Sequence, residues 1–412
     1  MTVSFCTPYR IQIIAPIDDE MDVAWKEASA VEQRLRFVQE CGSQEWPIAE
    51  VCRRFGISRI VGYKWLGRYE EGGLDALRDR SRAPRSHPNQ VLDDVEDAIV
   101  AARAAHPHWG PVKLRDWLVR TEPEVSWPAV STIGEILRRH GLTVPRKKRQ
   151  RATPSSQPLK HAQGPNSVWC ADFKGWFRCQ DGSRCDPLTI TDAFSRFLLK
   201  CQAAKHADFW HTQPLFEAAF REYGLPERIR VDNGSPFAST GIGGLSELSV
   251  WWVRLGIHPE RIQPGKPAQN GRHERMHRTM KQETANPPSR NLREQQKIFD
   301  EFRQQYNYER PHQALAGKTP GDLYQPSNRS FPSRLEPLTY PSEFEVRHVR
   351  NGGNIRWNSA NVFVGHALEG QPIGLEPLPQ GKWRVWFSFC DLGEMDEVHL
   401  AVRRAPLIQL AS

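Results

Sequence analysis

Eight cysteines are scattered along the 412 residues without a CxxC pair or a regular spacing. That excludes a zinc ribbon and a disulfide framework, and fits reduced thiols in a cytoplasmic protein. Any apolar run approaching the ~18 residues of a membrane span is also missing. The opening MTVSFCTPYRIQIIAPIDDE lacks a basic n-region and a long apolar core, so no signal peptide is expected there. Nor is there an acidic excess. Lys and Arg number 56 against 48 Asp and Glu, giving a formal net charge of +8, which favours a polyanionic partner over a merely basic soluble enzyme.

Residues 1–30 read as an N-terminal extension, with Met1 and Met21 both available as starts. Residues 31–77 read as three short helices. In IAEVCRRFGISRIVGYKWL, small Cys52 stands four before Gly56 and Ser58 can cap the following helix. With Ile60, Val61 and Trp65 inward, that helix would present Arg59, Lys64 and Arg68 outward, the layout of a helix-turn-helix reading a major groove. RDRSRAPRSHP falls in a linker, 78–92. Residues 93–145 repeat the helical pattern. Val95, Ile99 and Ala102 recur at helical spacing, Ser131 is a cap, and Ile133, Ile136 and Leu137 give an apolar face. Arg138 and Arg139 cluster near the end, as a second DNA-reading unit would place them. A basic linker follows, 146–164, whose Arg146, Lys147, Lys148 and Arg149 suit a tether that follows phosphates.

From 165 to 325 strands and helices alternate. NSVWCADFKGWF reads as a strand, PLTITDAFSRFLLKCQA as a hairpin, ADFWHTQPLFEAAFREYG as a helix ended by Gly224, and LPERIRVDNGSPF as a strand stopping in Asp-Asn-Gly. Past a linker, 326–342, residues 343–405 alternate around Asn-Gly-Gly as a small antiparallel β domain would. The expected class is therefore multidomain: all-α helix-turn-helix units, a central α/β core and a small C-terminal β domain.

Three acids stand where such a core places functional groups. Asp172 ends a strand, Asp232 ends another before a sharp turn, and Glu274 follows Asn270-Gly271 near a helix start. Carboxylates converging from those points repel one another unless a divalent cation compensates, and hard oxygen ligands suit Mg²⁺ or Mn²⁺. On the helix, Arg278 and Lys281 fall at i+4 and i+7 from Glu274, placed to hold nucleic-acid phosphates. His273 and His277 share an adjacent face, toward substrate or solvent. With Glu274 they spell HExxH, so a zinc peptidase is the competing reading. The basic residues around the motif and the lack of an HxxGxxH continuation count against it. Asp192, between two strands, reads as a hairpin residue.

WCADF, RVDNGSPF and PAQNGRHERMHRTMKQE, followed by YNYERPHQALAGKTP, together resemble the integrase catalytic core of DDE-type bacterial insertion-sequence transposases, relatives of retroviral integrases. The resemblance spans roughly residues 160 to 325. It implies a ribonuclease-H-like fold, with Asp172, Asp232 and Glu274 as catalytic metal ligands for two Mg²⁺ ions, and Lys281 as the basic residue that follows the glutamate. It implies binding to double-stranded DNA at the element's inverted repeats and at the target, strand cleavage and transfer, and a homo-oligomer on DNA. The 41 residues between Asp232 and Glu274 exceed the spacing common in the family, and the excess matches ASTGIGGLSELSVWWVRLG, read as a Gly-rich loop and a short helix. A DNA-binding regulator or decayed element keeps the fold and drops the chemistry.

Overall fold

The computed structural model describes residues 29–81, 90–143, 159–239, 241–262 and 271–404. Arg146, Lys147, Lys148 and Arg149 lie outside the described residues. The chain divides into two compact units, residues 1–90 and 91–412.

In the first unit, α1 (Ala30–Gly42), α2 (Ile48–Arg54) and α3 (Arg59–Gly72) enclose Phe37, Val38, Val51, Cys52 and Leu77. Ser29 and Glu32 form a reciprocal capping box on α1, and Ser58 caps α3 by accepting from Val61 N at 3.3 Å. The face of α3 differs from the expectation. Ile60 is 83% exposed and Val61 is also exposed, whereas Gly62 is the buried residue of α3. A Cβ on Gly62 would meet Cys52 Sγ at 2.5 Å and Phe37 Cζ at 3.0 Å. Close helix crossing therefore selects the small residue, and the apolar neighbours turn outward beside Arg59 and Lys64. Trp65 is half-buried under cations: the guanidinium carbons of Arg34 and Arg68 stand 4.0 and 4.8 Å from its ring centroid. Gly62→Val should overpack this crossing and destabilise the unit by about 1–3 kcal/mol, read as a lower melting temperature of the N-terminal transition.

The second unit begins with α4 (Asp93–Ala105), α5 (Pro111–Thr121) and α6 (Val130–Arg139), packed around Ile99, Leu114, Leu118, Ile133, Ile136 and Leu137. Ser131 is not the cap of α6. Ala129 holds that position without a side-chain bond, because the helix starts two residues earlier than the hydroxyl suggests. The last turn of α5 reaches the core domain directly, Arg120 donating to both Asp322 carboxylate oxygens at 2.9 and 3.0 Å.

The core is a mixed sheet built from β1 (Val168–Phe173), β2 (Phe177–Arg178), β3 (Arg184–Asp192), β4 (Leu198–Ala204), β5 (Arg228–Val231) and β6 (His258–Arg261). Its order is β2-β3-β1-β5-β6, with β4 also on β3. The β1–β3–β4 portion is antiparallel, and β5 and β6 run parallel to β1, which is the ribonuclease-H-like arrangement. Helix α7 (Phe209–Tyr223) and α8 (Glu247–Arg254) cover one face, burying Trp169, Phe216, Phe220 and Trp252. The segment after Asp232 thus contains a helix, as expected, and also β6, whose HPER sequence carries no strand signature. Helices α9 (Gly271–Thr284) and α10 (Leu292–Gln304) cover β3 and β4 through Met276, Met280, Phe299 and Phe302.

The C-terminal domain has a five-stranded antiparallel sheet of β7 (Glu345–His348), β10 (Pro372–Leu378), β11 (Lys382–Phe387), β12 (Cys390–Asp396) and β13 (Ala401–Arg404). A hairpin of β8 (Asn354–Trp357) and β9 (Ala360–Phe363) accompanies it.

Candidate active site

Strand pairing sets two of the three acids side by side. Parallel β1 and β5 pair in register at Cys170–Arg230, and two residues further along each strand stand Asp172 and Asp232. Behind them a buried ion pair, Arg230 to Glu260 at 3.1 Å, ties β5 to β6. Asp232 turns the chain by accepting from Gly234 N at 3.1 Å.

Glu274 arrives on α9, exposed in the first turn. The helix buries His273, Met276, His277, Met280 and Thr284, a stripe of helical period, and exposes Arg272, Glu274, Arg275, Arg278 and Lys281. Asp172 feels the other two acids. Asp172 is pushed up to about 7, first by burial, then by the charge of Asp232, with Glu274 adding in the same direction and Lys174 opposing. A buried carboxylate whose charged form is opposed by two neighbouring acids is the donor chemistry that a hard divalent cation relieves, so these residues fit the implied metal.

The histidines lie elsewhere than substrate or solvent. Each is 3% exposed, because α9 packs this face onto β3. Thr189, the cross-strand partner of Asp172, receives both rings: its hydroxyl oxygen is 2.7 Å from His273 Nε2 and 2.6 Å from His277 Nε2. One hydroxyl proton cannot serve both, so at least one imidazole carries its proton on Nε2 and donates. His273 Nδ1 is 3.1 Å from the Thr191 hydroxyl. Burial holds both rings neutral, His273 down to about 3 and His277 also pushed down.

Asp172, His273 and His277 offer ligand atoms within 4.8 Å of one another, the closest approach to the zinc reading. Both nitrogens of His273 are already engaged by threonine hydroxyls, however, and Glu274 lies on the adjacent, exposed face of the helix. The HExxH string is a buried scaffold face beside an acid on the exposed face. His277 Nδ1 stands 3.7 Å from Asp172 Oδ2, too long for a hydrogen bond. Asp192 is buried and structural, accepting from Asn166 N, Ser195 N and Ser195 Oγ at 2.6–2.8 Å.

Of the residues expected to contact DNA, Arg59, Lys64, Arg278 and Lys281 are exposed, and Arg68 is partly buried beside Trp65. Arg138 bonds Glu135 at 3.1 Å and Arg139 bonds Glu96 at 2.7 Å, both remaining more than half exposed. Sequence reasoning missed Thr189 and Lys174. For Thr189 the available signal is the alternation of two threonines, Thr189 and Thr191, with apolar residues in the PLTIT strand.

Known proteins agree with this layout. Integrase core domain models match residues 162–267 and 255–320. A helix-turn-helix domain model matches 33–85 and a homeodomain-like model 61–137. An uncharacterized 31.7 kDa insertion-element protein of Burkholderia multivorans is 29% identical over 193 residues, 46% of this chain and 67% of that protein. An uncharacterized 39.2 kDa insertion-element protein of Xanthomonas euvesicatoria is 25% identical over 235 residues, 57% of this chain and 65% of that one. The chain thus spans about two thirds of the length of these relatives. Among solved structures, the HTLV-2 integrase catalytic core domain in complex with magnesium is 18% identical with a TM-score of 0.32, covering 40% of this chain and 99% of that one. No helix among the described residues is long and apolar enough to cross a membrane.

Proposed function

Starting from a chain that belongs with the insertion-element transposases of the integrase superfamily, we propose that it cleaves DNA at the ends of its element and joins them to a target. The observation that carries this is the placing of Asp172 beside Asp232 on paired strands, where burial and the charges of Asp232 and Glu274 push Asp172 up. These three would hold the divalent cations, Mg²⁺ or Mn²⁺, of which two suit the reaction. When bound, such ions activate the attacking oxygen and stabilise the leaving oxygen of an in-line displacement at phosphorus. Arg278 and Lys281, one and two turns beyond Glu274, grip phosphates of the bound strand. Hydrolysis at the element end and attack by the freed 3′-hydroxyl on a target phosphodiester are the same displacement with different nucleophiles, so one site serves both. The helix-turn-helix units would select the inverted repeats, and acting on two ends calls for a homo-oligomer on DNA.

The test is strand joining of a labelled end fragment, taken from the DNA flanking the gene, into a supercoiled target in Mg²⁺. Joined product supports the reading. End binding without joining moves a DNA-binding regulator or decayed element ahead of it.

The raised Asp172 also sets a pH dependence. Below pH 7 the metal-free protein keeps a proton there, which a cation must displace. Divalent affinity should therefore fall by up to about tenfold per unit between pH 7 and 5. The same shift means the metal-free fold loses stability as pH rises from about 4 to 7, since the unfolded chain ionises first. Calorimetric titration and melting across that range check both signs.

A further inference from the structure

Beside α9, on the side that carries Arg272 and Arg275, a cleft opens between α5 and the core. Its polar lining is dominated by Lys113, Arg196, Arg272, Arg275, Arg310 and His312. The acid in its wall, Asp192, is consumed by Ser195 and Asn166, and among the described residues only Arg310 of these cations has a carboxylate partner, Glu283 at 2.6 Å. His312 is 8% exposed, and its Nε2 has no hydrogen-bond partner among the described residues. The segments adjoining the cleft in sequence, 144–158 and 263–270, contain no Asp or Glu that could neutralise it. The cations also oppose one another: Lys113 is pushed down to about 8 by burial and by Arg310 and Arg275.

We infer that this cleft is a binding site for a backbone phosphate of DNA. It lies on the second helix-turn-helix unit and the integrase core together, so that one phosphate fixes the two domains on one duplex. The phosphate is favoured over a peptide carboxylate because Arg272 and Arg275 flank Glu274 on the same helix. A strand held at the acids must pass them. An anion in the cleft offsets the repulsion around Lys113 and brings an acceptor to the buried imidazole of His312. The RPH of the YNYERPHQALAGKTP motif is thereby given a ligand role that the three acids do not absorb. The inference rests on the DNA reading above but concerns binding rather than chemistry.

The experiment is fluorescence anisotropy of the full chain with a labelled random-sequence duplex over a range of salt. Lys113→Gln/Arg196→Gln should weaken binding about tenfold and reduce the slope of log K against log salt by about 1–2. Lys113→Arg, which keeps the charge, should retain the wild-type slope. Removing repelling cations should leave the DNA-free melting temperature of the double variant equal or higher, which separates lost binding from lost folding. Wild-type affinity and slope in the double variant overturn the inference. So does an unchanged slope accompanied by a shift in oligomeric state without DNA, which would assign the cleft to a carboxylate of a second copy. Wild-type protein that binds duplex but joins nothing removes the catalytic reading and leaves this one standing.

Discussion

Asp232→Asn should lower strand joining by roughly 10³-fold, the rate equivalent of losing several kcal/mol of charge stabilisation at the reacting phosphate. The substitution keeps the shape of the turn, because an amide oxygen can still accept from Gly234 N. What it removes is one of the charges that push Asp172 up. In metal-free buffer above pH 7 the variant should therefore melt at the same temperature as wild type or higher. Inactivity with undiminished stability is the signature of a site whose carboxylates are held together against their own repulsion. An inactive variant that also unfolds early would place Asp232 among structural residues instead. His277→Ala tests the same point from the other side. It removes a buried support, so joining should fall far less than in Asp232→Asn.

Thr189→Val is expected to cost about 2–4 kcal/mol of stability, although it is nearly isosteric and the site is fully buried. The valine leaves the two buried imidazoles facing its side chain without the oxygen they share, each stranded polar group costing about 1–3 kcal/mol. The loss should also reach the site. Thr189 is cross-strand partner to Asp172, and its hydroxyl lies 3.3 Å from the Asp172 backbone oxygen, so a loosened α9 moves Glu274 relative to the two strand acids. Joining should drop together with divalent affinity, and Thr189→Ser, which restores the hydroxyl, should recover both. Urea melts and metal titrations on the pair of variants measure this. Equal behaviour of Val and Ser variants would mean that the hydroxyl holds nothing.

The sequence pattern made the acids legible because strand ends and a helix start have local signatures. Val168 to Ala171 is apolar and stops at Asp172, and Ile229-Arg230-Val231 stops at Asp232 before Asn-Gly. The parallel pairing that aligns them is a long-range fact that composition does not carry. The histidines were illegible for a related reason. A helix with cations at 272, 275, 278 and 281 reads as solvated all round until its neighbour is known. Only the packing of Met276 and Met280 on β3 and β4 reveals that His273 and His277 share the inward stripe. In α3, Val61 has the better apolar credentials, but helix crossing distance gave the inward place to Gly62. Short β6 depends on its partner β5 and the Arg230–Glu260 ion pair rather than on strand propensity.

Direct titration of Mn²⁺, followed by loss of its free electron-paramagnetic signal, with wild type, Asp232→Asn and His277→Ala at pH 8 tests the central claim. The three-acid account predicts binding by wild type, binding weakened at least about tenfold in Asp232→Asn, the equivalent of about 1.4 kcal/mol or more, and binding largely kept in His277→Ala. Undiminished binding by Asp232→Asn, with binding lost in His277→Ala, would contradict it and return the metal to the histidine face.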